Sequence, residues 1–251
     1  MFDLPDLDRS AFLGGRLAIW QPRQGYRAGI DPVLLAAAVP ASAGQSVLEL
    51  GLGAGVASLC LGARVPGLAL TGVELQPAYA ELARRNAAEN RLPLQVVEAD
   101  LTRLPADLKA RSFDHVLANP PYYPARSRVP ANDPGRETAI AEELPLAEWV
   151  SAGVKRLRPG GWLVMIQAAT RLPAILRALP DTGITVIPLL PRPGRTPERV
   201  LLRYRKGSRA EFRLSSGLIL HENPAHPGDC DDFSPWARDC LRNAAPFPAG
   251  F

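Results

Sequence analysis

Between Ser46 and Ala168 the sequence alternates short β-branched or leucine-rich runs with helical patterns, and this alternation restricts the fold more than any other feature. Strands separated by helices cannot close as tight hairpins, so they cross over and lie parallel in one sheet with helices on its faces. SVLEL (46–50) predicts a first strand and VASLCLGARV (56–65) the helix after it. LALTGVEL (68–75) predicts a second strand. Pro77 then opens a helix at a position where its missing N–H costs nothing, and the helix runs to about Asn90. LQVVEAD (94–100) and FDHVLANP (113–120) predict the third and fourth strands. A helix over 145–158 is expected to stop at Pro159-Gly160-Gly161, and WLVMIQA (162–168) predicts the fifth strand. ITVIPLL (184–190) and RVLLRYR (199–205) bring the expected sheet to seven strands. The last alternates apolar and basic residues, as an edge strand with one wet face does. Ahead of the sheet, an extended or hairpin-like segment from about Leu13 to Ile30 precedes a short helix with Asp31 as N-cap and Pro32 at N1.

With 251 residues, 47% apolar and 22% charged, the chain can bury a substantial core. It is read as one domain over 1–251: a lead-in over 1–45, the sheet over 46–206 and an extension over 207–251. No apolar stretch reaches the roughly 18–20 residues needed to span a bilayer. MFDLPDLDRSAFLGG lacks the basic and apolar regions of a secretory signal, and a cytoplasmic location is expected. Cys60, Cys230 and Cys240 show no metal-ligand spacing, so no metal is expected and the thiols are read as reduced. Cys230 and Cys240 are close enough in sequence to pair, although nothing requires it.

The first strand runs into Glu49-Leu-Gly51-Leu-Gly53-Ala-Gly55. Glycines at a strand-to-helix turn let the backbone approach a ligand and offer N–H groups at a helix N-terminus. The spacing is G-x-G-x-G and not the dinucleotide pattern G-x-G-x-x-G, which favours a nucleoside cofactor with no pyrophosphate to cradle. Glu74 ends the second strand, where a carboxylate can accept from both hydroxyls of a ribose. Asp100 ends the third and can accept from the exocyclic amine of an adenine. Glu49 is placed to hold a positively charged end of the cofactor. Taken singly, each acid could be a cap or a solvated side chain. Three of them at the carboxyl ends of successive parallel strands mark a ligand crevice.

Asn119-Pro120-Pro121-Tyr122 follows the fourth strand, and Tyr123 follows the motif. An amide or ring-attached amine has a delocalised lone pair and is a poor nucleophile. Its N–H groups can donate to the Asn119 side-chain oxygen and to the Pro120 carbonyl, both held by rigid prolines, and this favours a pyramidal nitrogen at the transition state. Tyr122 is expected to stack on a planar substrate and exclude water. The combination of E-x-G-x-G-x-G, a strand-end acid and N-P-P-Y resembles class I methyltransferases acting on amide or exocyclic amine nitrogens. That resemblance implies a Rossmann-like α/β fold with S-adenosylmethionine as methyl donor, and no strong base is needed beside so reactive a sulfonium.

The resemblance narrows at both ends of the chain. Gly25-Tyr-Arg-Ala-Gly-Ile-Asp31-Pro-Val-Leu-Leu-Ala36, Tyr122-Tyr123, Arg136-Glu137, Arg199-Val-Leu-Leu and Leu218-Ile-Leu are similar to the bacterial tRNA(Val) adenine-N6 methyltransferase family. The family modifies the adenosine immediately 3′ of the anticodon, so tRNA is the implied partner. By this resemblance Arg27 to Asp31 close over the methionine end of the cofactor. Asn119 to Tyr122 hold the target adenine, and Asn119 also faces the cofactor. Glu49 departs from the Asp of many relatives, and the loop PARSRVPANDPGRE and the region 191–209 look distinctive to this branch and are expected to contact the substrate. The net charge is only +4, but arginines cluster. Arg192, Arg195, Arg199, Arg203, Arg205, Lys206, Arg209 and Arg213 are interrupted only by Glu198 and Glu211, and Arg126, Arg128 and Arg136 flank the motif. Phosphate contacts call for such residues, and a base within structured RNA must be flipped to reach a pocket. Three alternatives stay open from sequence. These are a protein glutamine-N5 methyltransferase, a ribosomal-RNA or DNA amine methyltransferase, and a non-catalytic RNA-binding module on a cofactor fold.

Overall fold

The computed structural model describes residues 2–124, 141–142, 144–226, 228, 231–248 and 250. The chain opens with an antiparallel hairpin, β1 (Leu7–Phe12) and β2 (Leu17–Pro22), closed by a tight turn at Leu13–Gly15. The hairpin therefore begins six residues before the expected Leu13. After α1 (Asp31–Ala38) the elements are β3 (Ser46–Leu50), α2 (Val56–Arg64), β4 (Ala69–Glu74), α3 (Pro77–Glu89) and β5 (Leu94–Glu98). Next come α4 (Ala106–Ala110), β6 (Phe113–Ala118), and β7 (Tyr123–Pro124), which pairs with β8 (Ala141–Glu142). They are followed by α5 (Leu146–Arg156), β9 (Leu157–Ala168), α6 (Leu172–Leu176), β10 (Ile184–Leu190) and β11 (Arg199–Arg205). The chain ends with β12 (Arg213–Leu214), β13 (Leu218–Ile219) and α7 (Pro235–Asn243).

The seven expected strands all form, in the order β10-β11-β9-β6-β3-β4-β5. From β9 to β5 they are parallel, and β11 runs antiparallel to both its neighbours. The two-residue strands β12 and β13 add to β10, which makes nine strands. The chain builds outward from β3 through β4 to β5 and then returns to β6 on the other side of β3. That reversal leaves a crevice at the carboxyl ends of β3 and β6, where open α/β sheets bind ligands.

Side chains along the strands alternate between two cores. Val47, Leu117, Val164 and Ile166 join α1, α2 and α3 on one face, while Leu48, Val116, Leu163 and Met165 join α4, α5 and α6 on the other. Both faces are dry, which is why these strands read as continuous apolar runs. The hairpin is fastened to α3 by Asn86, a fully buried residue. Its side chain accepts from Trp20 N (2.8 Å) and donates to Trp20 O (3.0 Å) and Ala54 O (2.9 Å), which ties the hairpin and the glycine turn to one helix.

Three local expectations are corrected. Asp31 is the first residue of α1 and caps nothing with its side chain, because its carboxylate is engaged across the crevice. The helix before Pro159 ends at Arg156, and β9 already begins at Leu157, with residues 158–161 bulged out of its pairing with β6. The Lys206 ammonium donates to Val154 O and Leu157 O, so a distant side chain caps the α5 end. Finally, β11 is an interior strand, and α1 and the C-terminal segment cover its basic face: Arg203 donates to Ala38 O and lies over the Phe247 ring.

The C-terminal segment is docked, with α7 packed on α1 and Phe247 N donating to Ala37 O. Asp232 binds the Arg192 guanidinium at 2.6 Å and His221 Nδ1 at 2.6 Å. Cys60 and Cys240 are buried free thiols, and Cys230 lies outside the described residues. Among the described residues no helix is long and apolar enough to cross a membrane.

Candidate active site

A cavity of about 540 Å³ opens at the reversal point. Its walls come from the turn after β3, the ends of β4, β5 and β6, the segment leading into α1, and the start of β11. Such a volume is typical of small-molecule and cofactor sites.

The glycine turn forms its floor. Gly51 has φ +70°, and a Cβ there would lie 2.7 Å from a ring carbon of Trp149, so both the conformation and the indole exclude a side chain. Gly53 lines the cavity and donates its N–H to Glu74 Oε2 at 2.7 Å. Gly55 does not line the cavity. With φ +85° it caps the start of α2 and lets that helix pack close to Ala83, which is its part in the turn.

The three strand-end acids all line the cavity, each in a different state. Glu74 is nearly buried, and its other oxygen accepts from Gln76 N at 2.9 Å. Burial raises its pKa against these amide bonds. A carboxylate has about four acceptor positions, and the backbone of Gly53, Leu75 and Gln76 leaves it room to accept from a ligand as well. Asp100 is turned into its own loop, accepting at Oδ1 from Thr102 N (2.8 Å) and the Thr102 hydroxyl (2.7 Å), and these bonds hold its pKa below the ordinary value. Glu49 is 3% exposed. It accepts from Ser58 N at 2.9 Å and the Ser58 hydroxyl at 2.5 Å, yet burial still pushes its pKa up to about 8.

Asn119, Pro120, Pro121 and Tyr122 form the opposite wall. Asn119 Nδ2 donates to the Tyr26 hydroxyl at 3.4 Å, while Asn119 Oδ1 is buried with no hydrogen-bond partner among the described residues. An acceptor left in that condition costs about 1–3 kcal/mol, and a donor brought by a ligand recovers it. From beneath the motif, the fully buried Gln167 donates to Pro120 O (3.1 Å) and Pro121 O (3.2 Å). Nothing in the local sequence singles out Gln167 beyond being a polar residue inside an apolar strand.

The remaining predicted residues divide. Arg27 lines the cavity, but its guanidinium pairs with Asp8 at 3.0 Å and donates to Pro22 O, which anchors the lead-in segment to the hairpin. Asp31 lines the cavity and binds Tyr122 and Arg199. Of the arginines expected to face RNA, Arg192, Arg199 and Arg203 are engaged inside the protein, which corrects the picture of one continuous basic face. Arg195 and Arg205 are exposed, Arg205 lying over the Trp162 ring. Arg126, Arg128 and Arg136 lie outside the described residues. Sequence reasoning missed Tyr26, Tyr79, Leu75, Leu101, Leu144 and Trp149, which supply much of the apolar lining. Among the described residues no cluster of three His, Cys, Asp or Glu side chains is placed to hold a metal ion.

Residues 28–179 match the methyltransferase small domain family. A predicted O-methyltransferase from Agrobacterium tumefaciens superposes with a TM-score of 0.70 at 28% identity, covering 88% of this chain and 100% of its own. The 16S rRNA N2 G1207 methyltransferase of T. thermophilus, solved with AdoMet and guanosine, shares the fold at a TM-score of 0.55 and 19% identity, over 80% of this chain and 50% of its own. Fold and crevice together define a class I methyltransferase that uses S-adenosylmethionine. A tRNA1(Val) (adenine(37)-N6)-methyltransferase of Porphyromonas gingivalis is 32% identical over 82% of this chain and 86% of its own length. An Aeromonas hydrophila enzyme of the same name is 28% identical over 79% and 84%. The chain belongs to the methyltransferase small domain family, within the group of these tRNA1(Val) adenine-N6 methyltransferases.

Proposed function

We propose that the protein methylates the exocyclic N6 amine of an adenine in tRNA, next to the anticodon, with S-adenosylmethionine as donor. The observation that carries the chemistry is the buried, unpartnered Asn119 Oδ1 in the wall of a cavity that also presents Glu74 and Asp100. One amine N–H donates to Asn119 Oδ1. The other reaches the Pro120 carbonyl, which has a second lone pair beyond the one Gln167 occupies. Gln167 fixes the direction of that carbonyl before substrate arrives, so the acceptors are preorganised for a pyramidal nitrogen. An amide oxygen and a peptide carbonyl are too weakly basic to take the proton, so the amine lone pair attacks the methyl carbon as the carbon–sulfur bond breaks and the methylated nitrogen then gives its proton to water; a hydroxyl, which must lose its proton to attack, would need a base.

The residues present fit the donor. Glu74 would hold the ribose hydroxyls, Asp100 the adenine amine and Glu49 the cationic methionine end, with Leu75 and Leu101 as apolar walls for the ring. Gly51 and Gly53 let the backbone come close. When bound, the cofactor supplies an electrophilic methyl group on a positive sulfur. Tyr122 would cover the motif side, and Trp149 packs against the glycine turn at Gly51. The choice of tRNA is supported by the names of the relatives at 32% and 28% identity, with the exposed Arg195 available for phosphate.

The test incubates the protein with labelled S-adenosylmethionine and total tRNA, then digests the RNA to nucleosides. Labelled N6-methyladenosine is the expected product. Label in protein, or in another base, overturns the acceptor and leaves the cofactor assignment standing.

A further inference from the structure

All but one of the core strands that border the crevice bring their last residues to it. The exception is β11, which is antiparallel to β9 with Arg199 opposite Ala168, so it brings its first residue instead. Arg199 thus arrives beside Asp31, 168 positions away in sequence, at the opening of α1. Its Nε lies 2.9 Å from Asp31 Oδ1 and 3.0 Å from Oδ2, and that same Oδ2 accepts the Tyr122 hydroxyl at 2.5 Å. Arg171 donates to the Tyr122 carbonyl at 3.3 Å, so the residue is held at both ends. We propose that Arg199 and Asp31 are positioning residues for methyl transfer, a charge-balanced tether that fixes the Tyr122 ring against the target base; this rests on the function proposed above.

The arrangement is internally consistent. Burial and the Asp31 carboxylate both raise the Tyr122 pKa, so Tyr122 remains a neutral donor. Burial works against the charge on Arg199, but Asp31 outweighs it and the guanidinium stays ionised. The three groups carry no net charge, so the tether adds no net charge to a crevice that must take a cationic donor. A short charge-assisted hydrogen bond is among the stronger ones available to a side chain. Without the guanidinium, a carboxylate that is only 15% exposed loses its cationic partner, and the tyrosine loses a fixed anchor. Displacements of about 1 Å in a reacting geometry cost on the order of 100-fold in rate.

The test uses Arg199→Met, Arg199→Lys, Tyr122→Phe and the Arg199→Met/Tyr122→Phe double variant of the full chain. The acceptor is whichever of RNA or protein the unmodified chain labels, so a wrong acceptor class and a wrong tether give different results. Each of Arg199→Met and Tyr122→Phe should lower kcat about 10- to 100-fold with cofactor affinity within about twofold, and the double variant should be little worse than either. Arg199→Lys should recover part of the loss. In urea unfolding without cofactor, the double variant's midpoint should fall by less than the two single shifts added. Additive effects in both measurements overturn the tether. So does a change confined to KM, with a slope of log KM against log salt shallower by about 0.7–0.9, because that makes Arg199 a phosphate contact.

Discussion

If Glu49 holds the cationic end of the cofactor, binding must be linked to its ionisation. Burial holds its pKa at about 8, so close to nine-tenths of the cofactor-free protein carries a neutral Glu49 at about pH 7. Ionising the group at that pH costs about 1.4 kcal/mol, or a factor of about ten in affinity, and at about pH 6 a factor of about one hundred. Affinity should therefore tighten roughly tenfold per pH unit up to about pH 8 and then level off, with about 0.9 proton released per cofactor bound at pH 7. Titration calorimetry in two buffers of different ionisation enthalpy counts that proton. Glu49→Gln keeps an acceptor for Ser58 but should abolish both the release and the pH dependence. The sign for stability is opposite to that of an ordinary carboxylate. Because folding raises this pKa from 4.5 to about 8, the cofactor-free protein loses stability as pH rises through that window, and bound cofactor offsets the loss. No proton release by the unmodified protein at pH 7, or equal release by Glu49→Gln, would refute the assignment.

Asn119→Ala should lower kcat at least about 100-fold while calorimetry finds cofactor affinity nearly unchanged. Full turnover in that variant would remove Asn119 from the chemistry. Glu74→Gln should weaken cofactor binding about 10- to 100-fold, the equivalent of about 1.5–3 kcal/mol for a charge-assisted hydrogen bond. Asn86→Ala removes one buried and two part-buried hydrogen bonds and strands Trp20 N, Trp20 O and Ala54 O, so urea unfolding should show a loss of about 2–4 kcal/mol. A loss below about 1 kcal/mol would mean that water replaces the side chain there.

The sequence by itself determined the parts of this protein that depend on near neighbours. Strands buried on both faces read as apolar runs, helices as 3.6-residue patterns, and Pro77 as a helix start, because each reflects the local backbone and the solvent on either side of it. The glycine turn and Asn119-Pro120-Pro121-Tyr122 were legible for the same reason, since each packs its chemistry into a few consecutive residues. Tertiary structure decided which partners these residues meet. Arg192, Arg199, Arg203 and Arg205 are alike in sequence, yet one fastens the C-terminal segment, one pairs with Asp31 at the crevice, one lies over the Phe247 ring and one faces solvent. That division follows from β11 lying antiparallel inside the sheet under a docked C-terminus, where the sequence had suggested a wet edge. Gln167, Trp149 and Tyr26 became site residues only when strands and helices far apart in the chain converged on one crevice. Periodicity records which face of an element is dry, and it carries no information about which distant side chain will lie against that face.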